Sequence, residues 1–176
     1  DVQPVLATGC IDILKVNSSE ALAILASQDS RGDGCQTGDD AQPAALARPA
    51  DFARVAATLA ARFSIGIVAV TNGPATAYLA DGRTKQCFAF GIPDLLASTA
   101  LGAGKYAKPA LLNPLGAGDT CSAVMLGHLL SGASAVDAFA AGLAAASASC
   151  LVAAPNCIFD LGVMRRIRDR ITVTKL

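Results

Sequence analysis

Gly116-Ala117-Gly118-Asp119-Thr120 sets two glycines one residue apart at the head of a long apolar run, with a carboxylate directly after them. Backbone that carries no side chain can turn its amides toward one point. At a helix start those amides add to the positive end of the helix dipole, which favours an anion such as a phosphate. Asp119 would stand beside that anion and accept a proton from an attacking hydroxyl. Phosphoryl transfer asks the protein mainly to position groups and stabilise charge, so a base with an amide cradle is a sufficient local kit. The same residues also read as a tight turn closed by a helix cap at Asp119.

Two further segments carry polar residues where chemistry is plausible. Asn17-Ser18-Ser19-Glu20 has the spacing of a capping box, in which each side chain satisfies a backbone amide of the other. Its functional reading is that Glu20 helps hold a hydrated metal ion and Asn17 a phosphate or its water. Thr71-Asn72-Gly73 follows the apolar run Ile65–Val70. Loops at the carboxyl ends of parallel strands are where open α/β sheets bind ligands, so the Thr71 hydroxyl and the Gly73 amide are candidates for nucleotide phosphates. A generic turn explains Thr71-Asn72-Gly73 as well.

Elements able to position these residues are legible from periodicity. Ile11–Val16 predicts a short strand, followed by a helix through Leu22, Leu25 and Ala26. Ala50–Phe63 has helical spacing, with Phe52, Val55, Leu59 and Phe63 on one side and Arg54 and Arg62 outward. Ile65–Val70, nearly all apolar, predicts a central parallel strand covered on both faces. Thr76–Ala80 and Lys85–Phe90 predict a hairpin about Asp81-Gly82. Helices are expected over Ala117–Leu130, stopping at Gly132, and over Ala135–Val152; a basic amphipathic piece, Leu161–Arg170, and a strand, Ile171–Thr174, close the chain. Residues 30–49, polar and rich in Gly and Asp, predict a mobile loop. This order indicates an α/β layer architecture.

Composition narrows the classes. The 176 residues are 53% apolar and 16% charged, which excludes intrinsic disorder. Lys and Arg number 14 and Asp and Glu 14, so no electrostatic footprint for nucleic acid or an acidic membrane arises. No span has the ~18 strongly apolar residues that cross a bilayer; Ala138–Ala154 is mostly Ala, Ser and Gly and reads as a buried helix. The abundance of alanine predicts closely approaching helices. Six cysteines show no CxxC, and a single histidine, His128, argues against structural zinc. The cysteines fall in apolar stretches, which points to buried thiols in the cytoplasm or another reducing compartment. Cys121 reads as core or phosphate-side packing, His128 as packed or solvated, and Arg165, Arg166, Arg168 and Arg170 as a solvated helix face.

Taken in order, the three motifs resemble the ribokinase-like (PfkB) carbohydrate kinase family: GAGD at Gly116–Asp119, NxxE at Asn17 and Glu20, and the T-x-G turn at Thr71 and Gly73. The resemblance spans nearly the whole chain but only the C-terminal half of a family member. It implies a ribokinase-like three-layer α/β/α fold with a mainly parallel central sheet, of which residues 1–176 form the C-terminal, nucleotide-binding part of a single kinase domain. It implies Asp119 as general base, Gly116, Ala117 and Gly118 as the anion hole, Thr71 and Gly73 along the ATP phosphates, and Asn17 and Glu20 supporting Mg²⁺ through water. ATP and Mg²⁺ would be the cofactors and a hydroxyl of a small sugar or sugar-like molecule the acceptor. The implied partner is a complementary N-terminal half, in the same or a separate chain, since a cut-open sheet exposes an apolar strand edge. A homo-oligomer is left open. The pattern departs from the family where Asn113-Pro114-Leu115 replaces the acidic and Thr residues of a monovalent-cation site, and where Pro74-Ala75-Thr76 lacks a second glycine. Two alternatives stand beside the sugar kinase: a kinase-derived scaffold without turnover, and a hydroxyethylthiazole-type kinase of related architecture.

Overall fold

In the computed structural model the described residues are 2–27, 51–95, 113–152 and 159–176. The segment 30–49, Cys35 and Cys157 lie outside them. The elements run α1 (Gln3–Leu6), β1 (Ile13–Asn17), α2 (Ser18–Ala26), α3 (Asp51–Arg62), β2 (Ile67–Thr71), β3 (Ala77–Asp81), β4 (Gln86–Gly91), α4 (Ala117–Leu130), α5 (Ala135–Ser149), α6 (Leu161–Arg168) and β5 (Thr172–Lys175). The strands form a sheet in the order β1-β2-β3-β4-β5. The expected α/β class holds, and the sheet within this chain is mixed. β1 runs parallel to β2 with Ile13 opposite Ile67 and Asn17 opposite Thr71, whereas β2 runs antiparallel to β3 with Ile67 opposite Asp81. The short connection after Thr71 accounts for the change, since a parallel neighbour needs a crossover of a dozen or more residues.

The chain divides into two compact units, residues 1–89 with 175–176, and residues 90–174. In the first, β2 is the central strand expected from Ile65–Val70: Val68, Ala69 and Val70 are wholly buried. α3 covers β2 and β3 with the apolar side read from its spacing, burying Phe52, Val55, Leu59 and Phe63 while Arg54 and Arg62 face out. Each such large side chain withdrawn from water stabilises the unit by about 1.5–3 kcal/mol. Phe52 also meets the Tyr78 ring of β3 at a centroid distance of 6.4 Å. The Gln3 side chain, buried at the start of α1, donates to the Ile24 carbonyl oxygen and to Ser27 Oγ, which ties α1 to the end of α2.

The hairpin differs from expectation in its turn. A two-residue Asp81-Gly82 connection is replaced by a longer one, because Asp81 Oδ1 accepts from the amides of Arg83 and Thr84 at 2.9 and 3.1 Å. An Asp side chain that organises the turn in this way delays the return strand to Gln86.

In the second unit α4 and α6 pack on α5. α5 is buried almost all round, from Ala138 through Ala145, which suits a helix made of Ala and Gly. Phe139 of α5 meets Phe90 edge to face at 5.0 Å. α4 stops at Gly132 as expected: Gly132 has φ +85°, and the Ala133 amide returns to the His128 carbonyl oxygen at 3.0 Å, a Schellman-type ending. Cys121 is buried against α5, as its core reading required, and His128 is exposed. The described free cysteines differ among themselves: Cys10 is exposed, and burial pushes the Cys87 and Cys150 thiols above the ordinary range. No described helix is long and apolar enough to cross a membrane.

Candidate functional site

In the first unit, the parallel pairing of β1 and β2 brings two of the three motifs together. Asn17 and Thr71 are the last partners of that ladder, so both segments leave the sheet at its carboxyl end side by side. Asn17 then caps α2. Its Oδ1 accepts from the Glu20 amide at 2.8 Å, and Glu20 Oε2 accepts from the Asn17 amide at 2.8 Å, a complete capping box. Both side chains are nevertheless exposed, so the structural role of this pair leaves it open to solvent and ligands. Thr71 is half-buried, and its hydroxyl donates to the Val16 carbonyl oxygen at 3.4 Å, a long bond that a better acceptor would displace. The turn that follows closes through the Ala75 amide on the Asn72 carbonyl oxygen at 3.0 Å, with Gly73 exposed at φ +55°.

Asn17→Ala removes one of the two hydrogen bonds of the box. We expect a loss of about 1 kcal/mol in unfolding free energy, measured by denaturant titration; no loss would show that the box contributes nothing in solution.

In the second unit the GAGD segment is held from both sides. The Asn113 amide donates to the Cys150 carbonyl oxygen at the end of α5, and Asn113 Oδ1 accepts from the Leu115 amide at 3.2 Å, a local turn. Gly116 is left-handed at φ +77°, a conformation that side chains with a Cβ rarely adopt, and it forms the N-cap of α4. Its carbonyl oxygen accepts from both the amide and the hydroxyl of buried Thr120, each at 2.9 Å. The Ser122 hydroxyl is turned back onto the Gly118 carbonyl oxygen.

No side chain caps this helix start. Among the described residues, the amides bonded here are those of Ala117, to Pro114, and Thr120, to Gly116; those of Gly118 and Asp119 have no such acceptor. Two neighbouring donors at the positive end of a helix, with Asp119 exposed on the same first turn, fit an anion with a proton acceptor next to it. Asp119 does not make the cap that the plain structural reading assigned to it. Of the three residues expected to line an anion hole, Gly116 supplies the turn, Ala117 spends its amide within it, and Gly118 offers a donor.

Among the described residues no group of three or more His, Cys, Asp or Glu could hold a metal ion. Glu20 offers an exposed carboxylate, one oxygen of which already accepts from the Asn17 amide. That fits Mg²⁺ kept mostly by water and phosphate oxygens, and does not fit an all-protein cage.

Sequence reasoning missed Thr120 and Asn113 as supports of the GAGD turn, and Ser18 and Asn72 beside the first two motifs. Thr120 had a signal, being a hydroxyl four residues after the residue whose carbonyl it holds. Asn72 and Ser18 had none, because their meeting depends on strand register.

The model of the pfkB family carbohydrate kinases matches residues 3–160. Among curated proteins no relative matches. Among solved structures, phosphofructokinase-2 from Escherichia coli, in complex with potassium, is similar with 21% identity and a TM-score of 0.68, over 96% of this chain and 43% of that one. A carbohydrate kinase from Agrobacterium tumefaciens is similar with 16% identity and a TM-score of 0.60, over 99% of this chain and 44% of that one. These likenesses show the ribokinase-like α/β fold, and the chain spans less than half the length of the structures it matches.

Proposed function

The chain belongs to the PfkB family of carbohydrate kinases, and from that membership we propose that residues 1–176 are the nucleotide-binding, catalytic-base part of a single ATP-dependent kinase domain. The acceptor is a hydroxyl of a small sugar or sugar-like molecule. The observation that carries this reading is the α4 start, where uncapped amides and an exposed carboxylate share one turn.

In this reading Asp119 takes the proton of the acceptor hydroxyl as its oxygen attacks the terminal phosphorus of ATP and the bond to the ADP oxygen breaks. The Gly118 and Asp119 amides stabilise charge on the transferring group, and Gly116 fixes the turn that presents them. Thr71 and Gly73 meet the nucleotide phosphates. Asn17 and Glu20 orient the water shell of Mg²⁺, which when bound neutralises phosphate charge. The acceptor contacts lie with a complementary N-terminal half, and a homo-oligomer is in keeping with the tetrameric form recorded for the Escherichia coli phosphofructokinase-2.

One observation keeps a second reading in play. The capping box uses Asn17 and Glu20 for stability, which a scaffold without turnover would equally retain. Calorimetric titration of the complete protein with Mg·ATP, followed by a screen of sugars, sugar phosphates and a thiazole alcohol, separates the readings: heat of binding and ADP release with a sugar support the kinase, and no nucleotide affinity supports the scaffold.

Glu20→Gln is a sharper probe because Gln can still accept from the Asn17 amide and so keeps the box. It should raise the Mg²⁺ concentration for half-maximal turnover about tenfold with little change in thermal stability. An unaltered Mg²⁺ requirement would remove Glu20 from the metal's surroundings.

A further inference from the structure

We infer that Ser18 and Asn72 act as a positioning pair that locks the Glu20 side of the site to the Thr71–Gly73 side, so that Mg²⁺ and the nucleotide phosphates are met by one body; the inference rests on the kinase reading above. The β1–β2 ladder ends at Asn17 and Thr71. Past that point one chain turns into α2 and the other into the turn closed by Ala75 on Asn72. Backbone pairing therefore stops just where the two candidate ligand-binding segments begin. Ser18 Oγ donates to Asn72 Oδ1 at 3.0 Å, a half-buried bond between residues 54 apart in sequence. It continues the ladder by one step, with side chains in place of backbone.

The bond closes a continuous path. Glu20 is bonded to Asn17, Ser18 follows Asn17 in the chain, Ser18 reaches Asn72, and the Asn72 carbonyl oxygen holds the turn that carries Gly73. Breaking it leaves the capping box and the ladder intact, so α2 and β1 stay folded. What is lost is the fixed separation between Glu20 and Gly73. A ligand that touches both feels the loss, and one that touches a single side does not. Ser18 and Asn72 need not contact the ligand, and their role is exerted through Glu20 and the turn.

The test is calorimetry on the full-length protein with an unhydrolysable ATP analogue, once with Mg²⁺ and once with EDTA. Ser18→Ala and Asn72→Ala should each weaken the Mg²⁺ complex about five- to tenfold, the scale of one net hydrogen bond, and change the metal-free affinity less than about twofold. The double variant should be no worse than either single one, as expected for partners in one bond. Ser18→Thr should restore affinity and Ser18→Val should not; this pair differs in the hydroxyl alone and decides the matter should Ser18→Ala prove unstable. Unchanged affinity for the Mg²⁺ complex, equal losses with and without metal, or additive losses would overturn the inference. Wild-type protein that binds the analogue in neither condition would sink the kinase reading together with it, whereas wild-type binding unaffected by the Ser18 variants sinks the positioning pair alone.

Discussion

Asp119→Asn in the complete protein is expected to lower turnover by about 10²–10⁴-fold, the usual contribution of a positioned general base, while Mg·ATP affinity changes by less than about fivefold. The asymmetry follows from the geometry. Asn is nearly isosteric and fits the exposed first turn of α4, so the Gly118 and Asp119 amides keep their direction. The residue at 119 still supplies its backbone donor, and only the proton acceptor is gone. Losing a carboxylate beside the anion removes only a solvent-screened repulsion from the bound state, since its interaction with the helix dipole is common to free and bound protein, so affinity changes little. Steady-state rates with the preferred acceptor, set beside calorimetric affinity, check both halves. A variant with wild-type turnover would take the base away from Asp119, and one that lost binding and turnover together would assign residue 119 to nucleotide binding rather than to proton transfer.

The second large effect is on stability. A Cβ at Gly142 would lie 2.6 Å from the Cys121 carbonyl oxygen, 3.2 Å from Cys121 Sγ and 3.3 Å from Met125 Cβ. The nearest of these is backbone of α4, so no rotamer change relieves it and the helices must separate. Gly142→Ala gains about 1 kcal/mol of helix propensity, yet overpacking of this kind costs about 1–3 kcal/mol and occasionally more. We expect the clash to win for Ala, and Gly142→Leu to lose at least about 3 kcal/mol. Thermal or denaturant unfolding of the variants reads this directly. Because Cys121 belongs to the helix whose start carries Gly118 and Asp119, the Ala variant should also lose turnover at temperatures where it remains folded. A Gly142→Ala protein as stable as wild type would mean that α4 and α5 are not in such close contact.

That contact was foreseeable in outline, since alanine-rich helices predict close approach. The identity of the closest point was not, because the helical spacing of small residues in α5 offers several candidates and only the facing residue on α4 selects Gly142. The central strand and the α3 face were legible for a simpler reason: Ile67–Val70 and the Phe52–Phe63 spacing each state which side is buried. Strand ends were less so. β1 was expected from Ile11 to Val16 and runs from Ile13 to Asn17, since ladder pairing with β2, and not apolar content, fixes its limits. The candidate site divides in the same way. Gly116 and Asp119 declare themselves through residue type and order. That Ala117 spends its amide on Pro114, and that Ser18 bonds Asn72, depends on dihedral angles and register that no local pattern encodes.

The most direct measurement is a crystal structure of the complete protein with Mg²⁺, an unhydrolysable ATP analogue and the acceptor. A terminal phosphate oxygen is expected at about 3 Å from the Gly118 and Asp119 amide nitrogens, with an Asp119 carboxylate oxygen in hydrogen-bond reach of the acceptor hydroxyl. A terminal phosphate bound elsewhere, with those two amides facing bulk water, would contradict this arrangement.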